Sequence, residues 1–149
     1  MMIFWMFNAR FTWRYALAGM LCVLAMCDGA RAGGGPENVL VVVNSRSWAS
    51  LTVANHFCRL RRIPPSNVFY LDWPGSITTI DVETFRQKIL APIVEAIEMR
   101  RLGGQIDYVV YSSDFPYAIQ FDADVAPPVP KFSTGSLTSL TYLSHLVRA

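Results

Sequence analysis

Short apolar runs alternate with longer amphipathic stretches along this chain, and the alternation predicts a strand-helix repeat. Residues 38–43 run unbroken from Asn38 through Val39, Leu40, Val41, Val42 and Val43. A continuous run of this kind suits a strand buried on both faces, as parallel strands are. Asn44, Ser45, Arg46 and Ser47 break it, and Ser47 is placed to cap a helix reaching to about Arg62. Leu51, Ala54, Phe57, Cys58 and Leu60 fall on one side of that helix, with Thr52, Asn55, His56, Arg59 and Arg62 on the other. Pro64 and Pro65 end it. Residues 67–71 give a second strand, closed by the turn formers Asp72, Trp73, Pro74 and Gly75.

Asp81 then caps a second helix, with Glu83 in its first turn and Arg100 and Arg101 in its last, matching the helix dipole at both ends. Val82, Phe85, Ile89, Ile93 and Ile97 recur at helical spacing, and Leu90 and Val94 widen the stripe. Pro92 has no N–H for the carbonyl of Lys88 and its ring crowds that turn, so a kink or two abutting helices is expected there. Gly103 and Gly104 stop the helix, and residues 106–111 form a third strand. Beyond Tyr117 the period fades. Residues 122–130 carry Pro127, Pro128 and Pro130, and the Ser/Thr-rich residues 133–143 fit a loop, a strand or a capped helix.

The order strand-helix-strand-helix-strand predicts an α/β fold: a small open parallel sheet (β-α-β-α-β) with crossover helices, Rossmann-like and incomplete at three strands. Unpaired sheet edges invite partner strands, so marginal stability is expected, with a protein partner or self-association through those edges.

Ahead of this fold lies a leader. Residues 15–27 are an apolar core preceded by Arg10 and Arg14, and Ala30, Arg31 and Ala32 form an A-x-A cleavage site. Residues 1–32 therefore read as a secretory signal peptide and 33–37 as a flexible joint. Residues 38–121 are the α/β domain and 122–149 an irregular C-terminal segment. The expected location is periplasmic or extracellular. Alternatives are an uncleaved anchor, to which the apolar residues among Met1 to Phe7 would add, and lipidation of Cys27, although Met26 stands where a small residue is wanted. No later segment reaches the roughly 18 apolar residues of a spanning helix.

Composition narrows the picture a little. The 52% hydrophobic content is inflated by the leader. Setting aside Arg10, Arg14, Arg31 and Asp28 leaves basic and acidic residues in balance, which gives no electrostatic reason to expect nucleic acid or anionic lipid. Cys22 and Cys27 lie in the leader, so Cys58 has no internal bridging partner; it is expected to be a packed structural thiol, with an intermolecular disulfide as the alternative.

The strand followed by Asn44, Ser45, Arg46 and Ser47, the segments 63–71 and 106–111, and the helix carrying Pro92 together resemble an uncharacterised family of exported bacterial α/β proteins. The resemblance spans about residues 38–143. It implies a secreted α/β protein and brings no activity with it. Members are longer, so the resemblance also implies that this chain corresponds to their N-terminal part. A weaker likeness, of fold alone, is to the caspase-like gingipain-type peptidases; no His or Cys follows the third strand here.

Ligands of open parallel sheets bind outside the carboxyl ends of the strands. The candidate residues are therefore Asn44, Ser45, Arg46 and Ser47 after the first strand, Asp72 after the second, and Ser112, Ser113 and Asp114 after the third. They offer hydroxyls, one cation and two carboxylates around the first helix's N-terminus. Structural duties are the stronger explanation of most of them: Ser47 as cap, Asp72 and Asp114 as turn formers, Arg46 as a solvated loop charge. Ser112 or Ser113 with Asp114 and His145 has the composition of a hydrolytic triad, but there is no G-x-S-x-G elbow. His56 and His145 have no metal-ligand spacing, and Asp122 and Asp124 lack the glycine and distal Glu of an EF-hand. No phosphate loop occurs, so neither metal nor cofactor is expected. The sequence thus points to an exported binding or assembly domain without catalysis. The rival is a hydrolase-like enzyme whose strand-end side chains converge on one site.

Overall fold

The computed structural model describes residues 34–124 and 133–143. The leader, the proline-rich stretch after Asp124 and His145 lie outside the described residues. In chain order the strands are β1 (Val39–Asn44), β2 (Val68–Leu71), β3 (Thr79–Asp81), β4 (Tyr108–Tyr111), β5 (Ala118–Gln120) and β6 (Thr134–Ser136). The helices are α1 (Trp48–Arg61), α2 (Val82–Phe85), α3 (Ala91–Met99) and α4 (Leu137–Tyr142).

The unbroken apolar run becomes the central strand. β1 pairs in parallel with β2 on one side and β4 on the other, with Val41 opposite both Val68 and Val110. Because side chains alternate across a strand, β1 feeds two cores. Val41 and Val43 face α1 and pack with Ala54 and Ile63. Leu40 and Val42 face the other way, into a larger cluster with Phe85, Ile89, Ile93, Trp73 and Ile119. This is the crossover arrangement that the strand-helix order predicts.

α1 starts where expected, at Ser47, whose Oγ accepts the Ser50 N–H (3.0 Å). Its inward residues match the expected stripe with one exception. Leu60, in the last turn of the helix, which ends one residue later at Arg61, is 67% exposed. Cys58 is half-buried against the α1 core rather than enclosed, and burial pushes its thiol pKa up.

Of the two outcomes expected at Pro92, a kink or two abutting helices, the structure shows abutting helical segments. α2 and α3 are joined by a π turn, Arg86–Leu90, in which the Ala91 N–H bonds back to the Arg86 carbonyl. Widening the turn just ahead of the proline gives its ring room and removes the demand for its missing donor.

Two segments are more ordered than their sequence suggests. Residues 36–38, at the end of the expected joint, form a 3-10 turn. The Gly35 N–H donates to Asn38 Oδ1 (2.8 Å), and Asn38 Nδ2 donates to the Gln105 carbonyl (2.7 Å). Residues 133–143 are a strand and then a helix capped by Ser136. β6 pairs antiparallel with β5, and β5 pairs parallel with β3, making a second small sheet that the hydrophobic pattern does not predict. Leu137 and Leu140 of α4 join the larger core.

The outer edge of β2 is guarded. The Leu71 carbonyl accepts the Ser45 N–H (2.9 Å), so by the period of two Val68 turns its carbonyl outward. Arg100 Nη1 donates to that carbonyl and to that of Ser66, each at 2.9 Å, and its guanidinium lies over the Phe69 ring. Beside β4 sits α4, tied by a hydrogen bond of 2.9 Å between the Tyr111 and Thr141 hydroxyls. No helix among the described residues is long and apolar enough to cross a membrane.

Candidate functional site

The chain leaves β1 for β2 on one side and then returns past β1 to β4 on the other. In open parallel sheets ligands bind outside the carboxyl ends of the strands where the strand order reverses in this way. Asn44 ends β1, Ser47 caps α1, and residues 112–114 follow β4, so the topology carries these residues to one place.

There they bind one another. Asn44 Nδ2 donates to the Asp114 carbonyl (2.9 Å), and its Oδ1 accepts the Arg46 N–H (3.0 Å). The Ser47 hydroxyl donates to the Asp114 carboxylate. Asp114 adopts φ 62, a left-handed conformation that Asp tolerates better than most residues, and its carboxylate meets the start of α1. A helix N-terminus favours a negative group, and here the chain supplies its own.

Ser50 is part of this network, and sequence reasoning missed it. It is fully buried, its Oγ accepts the Asn44 N–H (2.9 Å), and its carbonyl accepts the Ser112 hydroxyl (2.7 Å). The available signal was the spacing Ser47-x-x-Ser50 directly after a strand, which places a second hydroxyl within the first turn, beneath the cap. Ser113 Oγ is, among the described residues, the buried side-chain oxygen without a hydrogen-bond partner.

Arg46 and Asp72 form a separate pair. The guanidinium Nε donates to one carboxylate oxygen and Nη2 to the other (3.3 Å). This hydrogen bond holds the Asp72 carboxyl below its usual range and the Arg46 guanidinium above its own. Both side chains are more than half exposed, so the pair adds little stability. Ser45 turns away, its hydroxyl donating to the Leu71 carbonyl (3.3 Å). The eight candidates therefore resolve into an Asn44–Ser47–Ser112–Asp114 network completed by Ser50, an Arg46–Asp72 pair, and Ser45 and Ser113 beside them.

The residues weighed for metal chemistry are elsewhere. Asp124 holds Arg86 through a contact of 2.7 Å, and His56 Nδ1 accepts from Arg59 (3.2 Å) on the exposed face of α1. Among the described residues no group of three His, Cys, Asp or Glu side chains is placed to hold a metal ion. The chain matches no protein-family model, no curated protein and no solved structure.

Proposed function

We propose that this is an exported binding or assembly domain of the cell envelope, built on a Rossmann-like sheet. One observation carries the reading: the polar groups at the strand ends are engaged with one another. The Ser47 hydroxyl and the Asp114 carboxylate pair directly, and Asn44 holds the Asp114 backbone. A nucleophile needs a neighbouring base that is itself oriented by a third group; here the carboxylate binds the cap hydroxyl of a helix, and among the described residues no imidazole lies in the network. The A-x-A site after the apolar leader supports export.

The test is turnover. Purified chain incubated with ester, peptide and phosphate substrates is expected to release no product above the background. Turnover that disappears in Asp114→Ala would overturn the reading. A second reading, a hydrolase-like enzyme at the strand ends, draws on one specific observation, the unpartnered buried hydroxyl of Ser113. A substrate group bonding to that oxygen would make any turnover sensitive to Ser113→Ala as well.

A further inference from the structure

The parallel sheet has one guarded edge and one open one. At the β2 edge Arg100 occupies the outward carbonyl of Val68. At the β4 edge the Val42 carbonyl accepts the Ser112 N–H (2.9 Å), so by the period of two Val110 turns its backbone groups toward β1, and Val109 and Tyr111 turn theirs outward. Among the described residues these outward N–H and C=O groups have no hydrogen-bond partner. α4 meets β4 through the Tyr111 side chain, from the face of the larger core, and supplies no partner to the edge itself.

Apolar side chains border this edge and form one surface. Ile97, Ile106, Asp107, Val109, Thr141 and Tyr142 line a single cavity of about 230 Å³ between α3, β4 and α4. Tyr142 is 55% exposed and Leu143 beside it 44%. Unpaired backbone groups beside uncovered apolar side chains are what an added β-strand satisfies. The edge is also complementary to itself. Val109 and Tyr111 stand symmetrically about Val110, so a second β4 laid antiparallel, Val110 against Val110, exchanges both N–H···O=C bonds between Val109 of one copy and Tyr111 of the other, on each side of the axis. In that register Asp107 falls opposite position 113 of the second copy, an uncharged serine, so no like charges meet along the strands. β2, the strand left outermost, is the one whose edge Arg100 guards.

We propose that a second copy of this chain docks on the open edge of β4, antiparallel about Val110, and joins the two three-stranded parallel sheets into one. The contact is twofold symmetric, so it closes on itself, and further growth of the joined sheet meets the guarded β2 edge on both sides. Val110 lies on the axis, where facing side chains come closest. This deepens the assembly reading and rests on it.

Full-length chain is followed by sedimentation equilibrium over a dilution series. The expected result is a concentration-dependent dimer in which the Val109 and Tyr111 amides exchange deuterium more slowly as concentration rises. Val109→Pro removes an outward N–H and none of the bonds to β1. It is expected to weaken the dimer about thirtyfold, at about fivefold for the hydrogen bond lost on each side of the axis. Val110→Lys and Val110→Glu each set like charges face to face; either chain alone is expected to stay monomeric, and a mixture of the two to dimerise. Circular dichroism checks the fold of each variant, and the amide exchange of the unaltered chain decides the matter where a variant fails to fold. A monomer at every concentration, a dimer that leaves those two amides unprotected, indifference to Val109→Pro, or a Lys/Glu mixture that stays monomeric overturns the proposal. So does a monomeric chain that binds an alternating valine-threonine peptide, which gives the edge to a foreign strand. Each of these failures leaves the non-catalytic reading standing, since only Asp114-dependent turnover removes that.

Discussion

Asp114 illustrates how one residue serves both backbone and side chain. Its left-handed φ favours Asp, Asn or Gly, and its carboxylate accepts the hydroxyl that caps α1. Asp114→Asn keeps the backbone preference and an acceptor, Asp114→Gly keeps only the former, and Asp114→Ala keeps neither. Stability by urea unfolding is expected to fall in the order Asp, Asn, Gly, Ala, with Ala lower by about 1–3 kcal/mol. Titration gives a second residue-scale prediction. Hydrogen bonds from the Arg46 side chain to Asp72 and from the Thr84 hydroxyl and N–H to Asp81 hold both carboxyls below their usual range. Each contributes stability that is complete above the ordinary aspartate value, about 3.9, and is lost as pH falls through its own lower value. Burial raises the Tyr111 phenol instead, so its contribution is complete below about 10 and lost as pH rises through the folded value. The urea midpoint should hold through neutral pH and decline in acid and strong alkali. Asp81→Asn should flatten the acid limb and Tyr111→Phe the alkaline one.

At the scale of elements, the three strands of the parallel sheet were legible because each is a run of apolar residues, and both main helix starts because Ser47 and Asp81 are caps with a side chain and a position to match. β3, β5 and β6 were not. Each has three residues, too few to show a period, and each is fixed by a partner distant in sequence. Thr79, Ile80 and Asp81 become a strand only because residues 118–120 come to lie beside them. The strand-end site was legible through topology, since alternation of strands and helices dictates what meets at the carboxyl ends. Ser50 was hidden because a serine in a helix's first turn carries no mark of which way it points. The helix ends offer a prediction of their own: Arg62→Gly should raise stability by about 0.5–1 kcal/mol, the relief of a left-handed residue at φ 56 less the added freedom of the unfolded glycine. Thermal unfolding of the single variant measures it.

The whole molecule is held by its larger core. Phe85, fully buried, lies where the second helix meets both sheets, in the cluster that includes Leu40, Ile80 and Ile119. Phe85→Ala should cost about 3–5 kcal/mol, a large part of the 5–15 kcal/mol typical of a domain, and a chain unfolded at room temperature is an acceptable outcome of that experiment. A loss below about 1 kcal/mol would mean that this cluster does not govern stability. Across the sheet the second core is thin, with Val41, Val43, Ala54 and Ile63 as its buried members. α1 is fastened there by Ala54 and the partly buried Leu51, Phe57 and Cys58 and by the Ser47 and Ser50 bonds at its first turn. Such a helix opens on its own well before the rest unfolds. Deuterium should therefore enter the amides in the C-terminal half of α1 soonest, while those of β1 directly beneath it stay protected until the entire fold gives way.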